Sequence, residues 1–398
     1  MMNSRQRIDA HPNRRIAIGR GVAASLALGI QNAGGIANGS PASTEPLSFF
    51  VISDTHLHAR KDDPQSMEPE SVSLNDRLID TLNELPGQTL PAASGGGKVA
   101  VPRGVIHLGD MVDSGDKSGA LYDQMTMTEW AHFTQRFGLT GNDGRLRFPI
   151  YELHGNHDSP RRNNAVLQAI AARNEQRIGL TDRVDGGLHY SWDWGNIHFV
   201  ALGIVVGPNA DDLPISRYES FKSLDFLVSD LEKHVGNSGR PVIILHHIDL
   251  LRYARPCDTV NRGASREVCC NGMASTAWCN RGCEGTAGIS RDEWSHCDVA
   301  AYGRAIEPYH VAAIFHGHLH ARRTEFWNPS QDGSGRRIPV FGAKNSAAGG
   351  ADRTIFYCLV EGDDLVIREY RSRGEQGWHP ELAQTAWTPE LWRAKLTP

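Results

Sequence analysis

No stretch of eighteen or more apolar residues occurs in the 398-residue chain, so nothing in it reads as a membrane-spanning helix. Basic residues are not in surplus: 41 Lys and Arg stand against 46 Asp and Glu, and a net charge of −5 lacks the electrostatic footprint of a nucleic-acid-binding protein. No internal repeat is visible, which argues against a stacked array. Cysteine is missing from the first forty residues, which argues against a lipoprotein anchor. Outside one short segment it is nearly missing altogether. Six of the seven cysteines (Cys257, Cys269, Cys270, Cys279, Cys283, Cys297) lie within 41 residues, and Cys358 stands alone.

What is present begins with a distinctive N-terminus. Arg5, Arg7, Arg14, Arg15 and Arg20 face a single acid, Asp9, and a short, mildly apolar run from Gly21 to Ile30 leads into small residues up to about Ala42. That is the outline of an export signal over residues 1–42, and Arg14-Arg15 is similar to the twin-arginine type. The chain is therefore expected to act outside the cytoplasm, in the periplasm or as a secreted protein.

Five apolar runs of strand type then end in metal-ligating or acid–base residues. Leu47–Ile52 ends in Ser53-Asp54-Thr55-His56. Val105–Leu108 ends in Gly109-Asp110-Met111-Val112-Asp113, and Phe148–Tyr151 leads into Glu152-Leu153-His154-Gly155-Asn156-His157-Asp158. Val242–Leu245 ends in His246-His247, and Val311–Phe315 ends in His316-Gly317-His318-Leu319-His320. Each end alone reads equally well as a polar turn. Together, since the carboxyl ends of strands form the ligand-binding rim of α/β proteins, they can converge on one site. The set Asp54, His56, Asp110, Asn156, His246, His318 and His320 suffices for two metal ions if one carboxylate is shared. Its mixed nitrogen and oxygen donors suit Zn, Fe or Mn and not an all-oxygen calcium cage.

The ordered motifs Asp54-x-His56, Gly109-Asp110-x-x-Asp113, Gly155-Asn156-His157-Asp158, His246 and Gly317-His318-x-His320 resemble those of the calcineurin-like metallophosphoesterases. The resemblance implies an α/β fold, a four-layer α/β/β/α sandwich of two mixed sheets. It places Asp54, His56, Asp110 and His320 on one metal and Asp110, Asn156, His246 and His318 on the other, with Asp110 shared. His247 competes with His246, which is preferred because it follows the apolar run directly. A shared water made acidic by two cations would attack phosphorus in line. His157, left without a metal, would protonate the leaving group, and Asp113 would orient it. The implied substrate is a small-molecule or headgroup phosphate ester, monoester or diester, with no nucleic acid expected. A nuclease of the same superfamily and a non-catalytic metal-binding surface protein are the alternatives.

Departures narrow the likeness. The hairpin from His189 to Val200 is similar to a strand pair of purple acid phosphatases, but Asp113 stands where those have a metal-bound tyrosine. Ser114 stands where protein Ser/Thr phosphatases have a phosphate-binding arginine. The cysteine cluster reads as disulfides within an insertion, residues 251–300, that lies over or beside the site as a stapled lid, with Trp278 and Trp294 as walls. A zinc site on Cys279 and Cys283 is the alternative.

Helical periodicity places helices at Leu74–Leu85, Met127–Phe137, Asn164–Asn174 and Phe221–Val235. Closing strands are expected at Ile338–Gly342, Thr354–Val360 and Leu365–Tyr370. The main domain is expected over residues 46–372, with residues 373–398, carrying Trp378, Trp387 and Trp392, packing back onto it. Cys358 is expected as a buried free thiol.

Overall fold

The structure is a computed structural model that describes residues 46–159, 165–184, 187–208, 218–254, 293–294, 296–330, 335–348, 350, 352–374, 377–378 and 384–398. The cysteines at 257, 269, 270, 279 and 283, Trp278, the side chain of Cys297 and the N-terminal basic segment lie outside the described residues.

Strand β1 (Ser48–Ile52) explains the architecture in miniature. All five residues are buried, so the strand has no solvent face. Phe49 and Val51 point into one apolar core and Phe50 and Ile52 into another, as the two-residue period of a strand requires. The strand is central in a six-stranded sheet. It pairs in parallel with β2 (Val105–His107), which pairs in parallel with β3 (Ile150–Glu152). On its other side it pairs antiparallel with β11 (Asp352–Glu361), followed by β12 (Asp364–Arg373) and β13 (Gln384–Lys395).

A second, seven-stranded sheet runs in the order β4 (Leu180–Arg183), β5 (Tyr190–Trp194), β6 (Ile197–Ala201), β7 (Val242–Leu245), β8 (Val311–His316), β10 (Ile338–Gly342), β9 (Arg323–Trp327). Both sheets mix parallel and antiparallel pairs. Between them lies a core of Phe49, Val51, Ile106, Trp192, Phe199, Ile243, Phe315, Phe341 and Phe356. Outside the first sheet, Phe50 and Ile52 meet α1 (Pro69–Glu84), α2 (Ala120–Phe137) and α3 (Ala165–Gln176). Outside the second, Val200, Ile244 and Ile314 meet α4 (Ser223–His234) and α6 (His296–Ile306), with the short α5 (Leu251–Ala254) nearby. Helix, sheet, sheet, helix is the expected four-layer sandwich.

Two elements extend past the sequence expectation. Helix α2 begins at Ala120, before the expected Met127, and its first turns escape the periodicity because Leu121, Asp123 and Gln124 are exposed and carry no apolar stripe. Residues 384–395 form a full strand on the first sheet, with Trp387 against Tyr357 and Tyr370 and Trp392 against Phe356. Cys358 is a buried free thiol in β11. No helix among the described residues is long and apolar enough to cross a membrane.

Candidate metal centre

The loops that leave β1, β2, β3, β7 and β8 converge at one end of the sandwich. Their backbone is unusual. Among the described residues, seven other than glycine have positive φ, and five of them are Asp54, His56, Asp110, His318 and His320. These non-glycine left-handed conformations cost energy and persist only where surroundings enforce them. Glycines supply the closest approaches. A side chain at Gly155 would strike Asp110, and one at Gly317 would strike Ser53 and Asp54.

The ligating atoms form linked groups. Asp54, His56 and His320 make one, Asp110, His247 and His318 another, and His56, Asp110 and His157 join them, with the candidate atoms of each group within 4.8 Å of one another. His56 Nε2 lies 3.1 Å from His320 Nε2, and His320 Nε2 lies 3.2 Å from Asp54 Oδ1. Asp110 Oδ2 is 3.0 Å from His247 Nε2 and 3.7 Å from His56 Nε2, so one carboxylate spans both sides. Asn156 Oδ1 lies 3.1 Å from His247 Nε2 and 2.8 Å from His318 Nδ1.

This arrangement fits cations. His247 Nδ1 lies 2.7 Å from the Leu108 carbonyl, which can only accept, so Nδ1 carries a hydrogen. In the neutral ring, Nε2 then turns a lone pair toward two oxygen acceptors, Asp110 and Asn156. Burial alone would lower the His247 pKa, yet the charge and hydrogen bond of Asp110 raise it to about 9. The site's carboxylates call for positive charge at that point. Asp54 and Asp110, both fully buried, are held well below the usual carboxylate range despite their burial, by His320 and His56 and by His247 respectively.

His246 is the clear correction. It sits on the other face of the strand end, its Nδ1 on the Ile248 carbonyl at 2.9 Å and its ring edge-on to Trp294 and Tyr302. Burial drops its pKa to about 3. The strand period gives the reason: Ile243 and Leu245 face the core between the sheets while Val242 and Ile244 face the helices, so His246 continues the helix face and His247 the face toward the site. Trp294 is likewise no wall of an open site. It is buried in the helix-side core, with Nε1 donating to the Val206 carbonyl at 3.0 Å.

Asp113 is also placed differently from expectation. Its carboxylate lies 3.5 Å from His56 Nδ1 and 2.6 Å from Lys117 Nζ, and only its carbonyl meets His157, 3.1 Å from Nδ1. The carboxylate beside His157 belongs to Asp116, at 3.5 Å. Burial lowers the His157 pKa, but Asp116 and Asp110 outweigh it and raise it to about 9. Asp158 is a scaffold: its carboxylate accepts from the backbone N–H groups of Asp110, Met111, Val112 and Gly155 at 2.7–3.0 Å and so ties two motifs together. Glu129 on α2 does the same for Ala59, Asp113 and Ser114. His154 is buried against Phe221 and His189, apart from the cluster.

The calcineurin-like phosphoesterase family model matches residues 47–322, which takes in every one of these motifs. The chain belongs to that family. The family's chemistry is metal-dependent hydrolysis of phosphate esters. Solved structures similar to this phosphoesterase include the calcineurin-like phosphoesterase YfkN from Bacillus subtilis, 12% identical over 88% of this chain and 91% of that one, with a TM-score of 0.32. Vps29 from Entamoeba histolytica in complex with Zn2+ is 11% identical over 86% and 98%, with a TM-score of 0.29. A metallophosphoesterase from Sphaerobacter thermophilus is 12% identical over 80% and 84%, with a TM-score of 0.24. No curated protein matches the chain.

Proposed function

We propose that this phosphoesterase hydrolyses a small phosphate ester at a centre of two cations, one held by Asp54, His56, Asp110 and His320 and the other by Asp110, Asn156, His247 and His318. The observation that carries this reading is the position of Asp110 between His56 and His247, within a single connected set of ligating atoms. Cations of the Mn, Fe or Zn kind would supply Lewis acidity for the phosphoryl oxygens and for an attacking water.

The chain's own residues set up the rest. Asp113, itself paired with Lys117, lies against His56 Nδ1 and favours the hydrogen there, which leaves Nε2 free to ligate. The Leu108 carbonyl does the same for His247. His157 is half-buried, its backbone N–H bonded to Asp110 Oδ1 at 2.7 Å. With Nδ1 turned to the Asp113 carbonyl, Nε2 is the atom that gives a proton to the leaving alkoxide, and Asp116 favours the charged ring. The basic and apolar pattern of residues 1–42 supports action outside the cytoplasm, and the acidic balance of the chain supports a small ester over nucleic acid.

Paired substitutions test the assignment. His247→Ala is expected to lose about one metal ion per chain and most phosphoesterase activity, while His246→Ala keeps its metal. Metal analysis by mass spectrometry, beside hydrolysis of a chromogenic phosphomonoester and its matching diester, gives the answer. Full metal content in His247→Ala would overturn the second position.

A further inference from the structure

His318 meets the site through Nδ1, and what stands behind its other nitrogen is a charged side chain. Nε2 lies 3.1 Å from Glu293 Oε1. Glu293 is buried, at 7% exposure, and its second oxygen accepts from Arg252 Nη2 at 2.7 Å and from the Tyr253 hydroxyl. The next residue, Trp294, is fixed by its bond to the Val206 carbonyl and by contact with His246 and Tyr302. In sequence, Arg252 and Tyr253 lie just before, and Glu293 immediately follows, residues 255–292. Residues far apart in sequence, Arg252 and Tyr253 on one side and Glu293 on the other, are therefore joined directly behind His318.

A carboxylate held by a guanidinium and a hydroxyl can only accept, so the hydrogen of a neutral His318 ring goes to Nε2. The lone pair is then on Nδ1, 2.8 Å from Asn156 Oδ1 and in the same group as Asp110 and His247. A carboxylate behind a ligating histidine fixes its tautomer, orients its ring and makes it a stronger donor. Neither resemblance nor spacing marks Glu293, because it comes from the insertion and not from any of the five motifs.

We propose that Glu293, braced by Arg252 and Tyr253, is the positioning residue of the second cation site: it sets His318 to ligate through Nδ1 and so strengthens metal retention there. The inference rests on the two-cation reading above, and its test separates the two. Chelator-treated chain is titrated with Mn2+, and with Zn2+ in a parallel run, and the two binding steps are followed by calorimetry. Glu293→Gln, nearly the same size, is expected to weaken one step by about 10–100-fold and leave the other within about twofold. Glu293→Asp should restore part of the loss. Glu293→Ala is included with a far-UV circular dichroism check, and Glu293→Gln decides the matter where the alanine variant does not fold. His318→Ala is the control: it should delete that same step. Two unchanged steps in Glu293→Gln beside a lost step in His318→Ala would overturn the role of Glu293 alone. Two intact steps in His318→Ala would overturn the site reading itself.

Discussion

Asp54, His56, Asp110, His318 and His320 hold left-handed backbone conformations at φ between 40° and 69°. Each such residue costs on the order of 1–3 kcal/mol, and nothing in packing requires all five to cluster. Ligation of a shared charge is a reason to keep them. His320, 42% exposed at its side chain, offers the cleanest test, since removing it opens no core cavity. His320→Gly should be more stable than His320→Ala by about 1 kcal/mol in urea unfolding of the metal-free chain, because both lose the contact with Asp54 and only glycine is at ease with positive φ, and both should lower metal content. A glycine variant no more stable than the alanine one would contradict the strain argument. Asp113 and Asp116, the first with its carboxylate on His56 and the second with its carboxylate on His157, separate in the same way. Asp116→Asn should slow esters with poor leaving groups by about tenfold or more and spare metal content, as His157→Ala should by about 10²–10⁴-fold. Asp113→Asn, by contrast, should weaken metal binding through His56. Metal content spared in Asp113→Asn, or turnover spared in Asp116→Asn, would overturn the corresponding role.

At the scale of elements, the hairpin of β5 and β6 is pinned to α4 by one buried ring. His198 lies 2.7 Å from Asp193 through Nδ1 and 2.7 Å from Asp230 through Nε2, and Asp230 also accepts from Ser191 Oγ. Burial works against charge on His198, but Asp230 and Asp193 prevail and its pKa is raised. The ring's contribution is thus fully present below the unfolded value of about 6.5 and is lost as pH rises through the higher folded value. His198→Phe should cost about 3–5 kcal/mol at pH 6, chiefly by leaving Asp230 without its cation. The gap between wild type and variant should narrow at alkaline pH, and a gap independent of pH would rule the charge out. The elements also show where sequence reading works. The five strand ends were legible because apolar runs and polar stops are local features. The choice between His246 and His247 followed instead from which face each residue of β7 presents, a matter of strand parity that proximity to the apolar run does not reveal. Asp116, Glu129 and Glu293 left no signal, since an acid in a turn, a helix or an insertion looks like a solvated one until the chain folds against it.

In the whole molecule, three apolar layers hold the two sheets and their helices in register, and the loops at one end inherit that rigidity. The four-layer plan was legible through the resemblance carried by the five motifs. The extent of the first sheet was not, because β13 begins after a run without strand periodicity. A scaffold this rigid brings seven ligating residues together before any cation arrives, which crowds two buried carboxylates and four histidines on backbone strained at five of the seven and makes the metal-free site the weak point of the fold. Titrating the chelator-treated chain with Mn2+ while following both circular dichroism melts and hydrolysis of a chromogenic phosphate ester tests the account most directly. The account predicts a melting temperature that climbs with added metal, by about 2.7 kcal/mol of stabilisation at a hundredfold excess over the dissociation constant, and turnover that appears only as the second ion per chain is taken up. Turnover complete at one ion, or none at two with either a monoester or a diester, would contradict it.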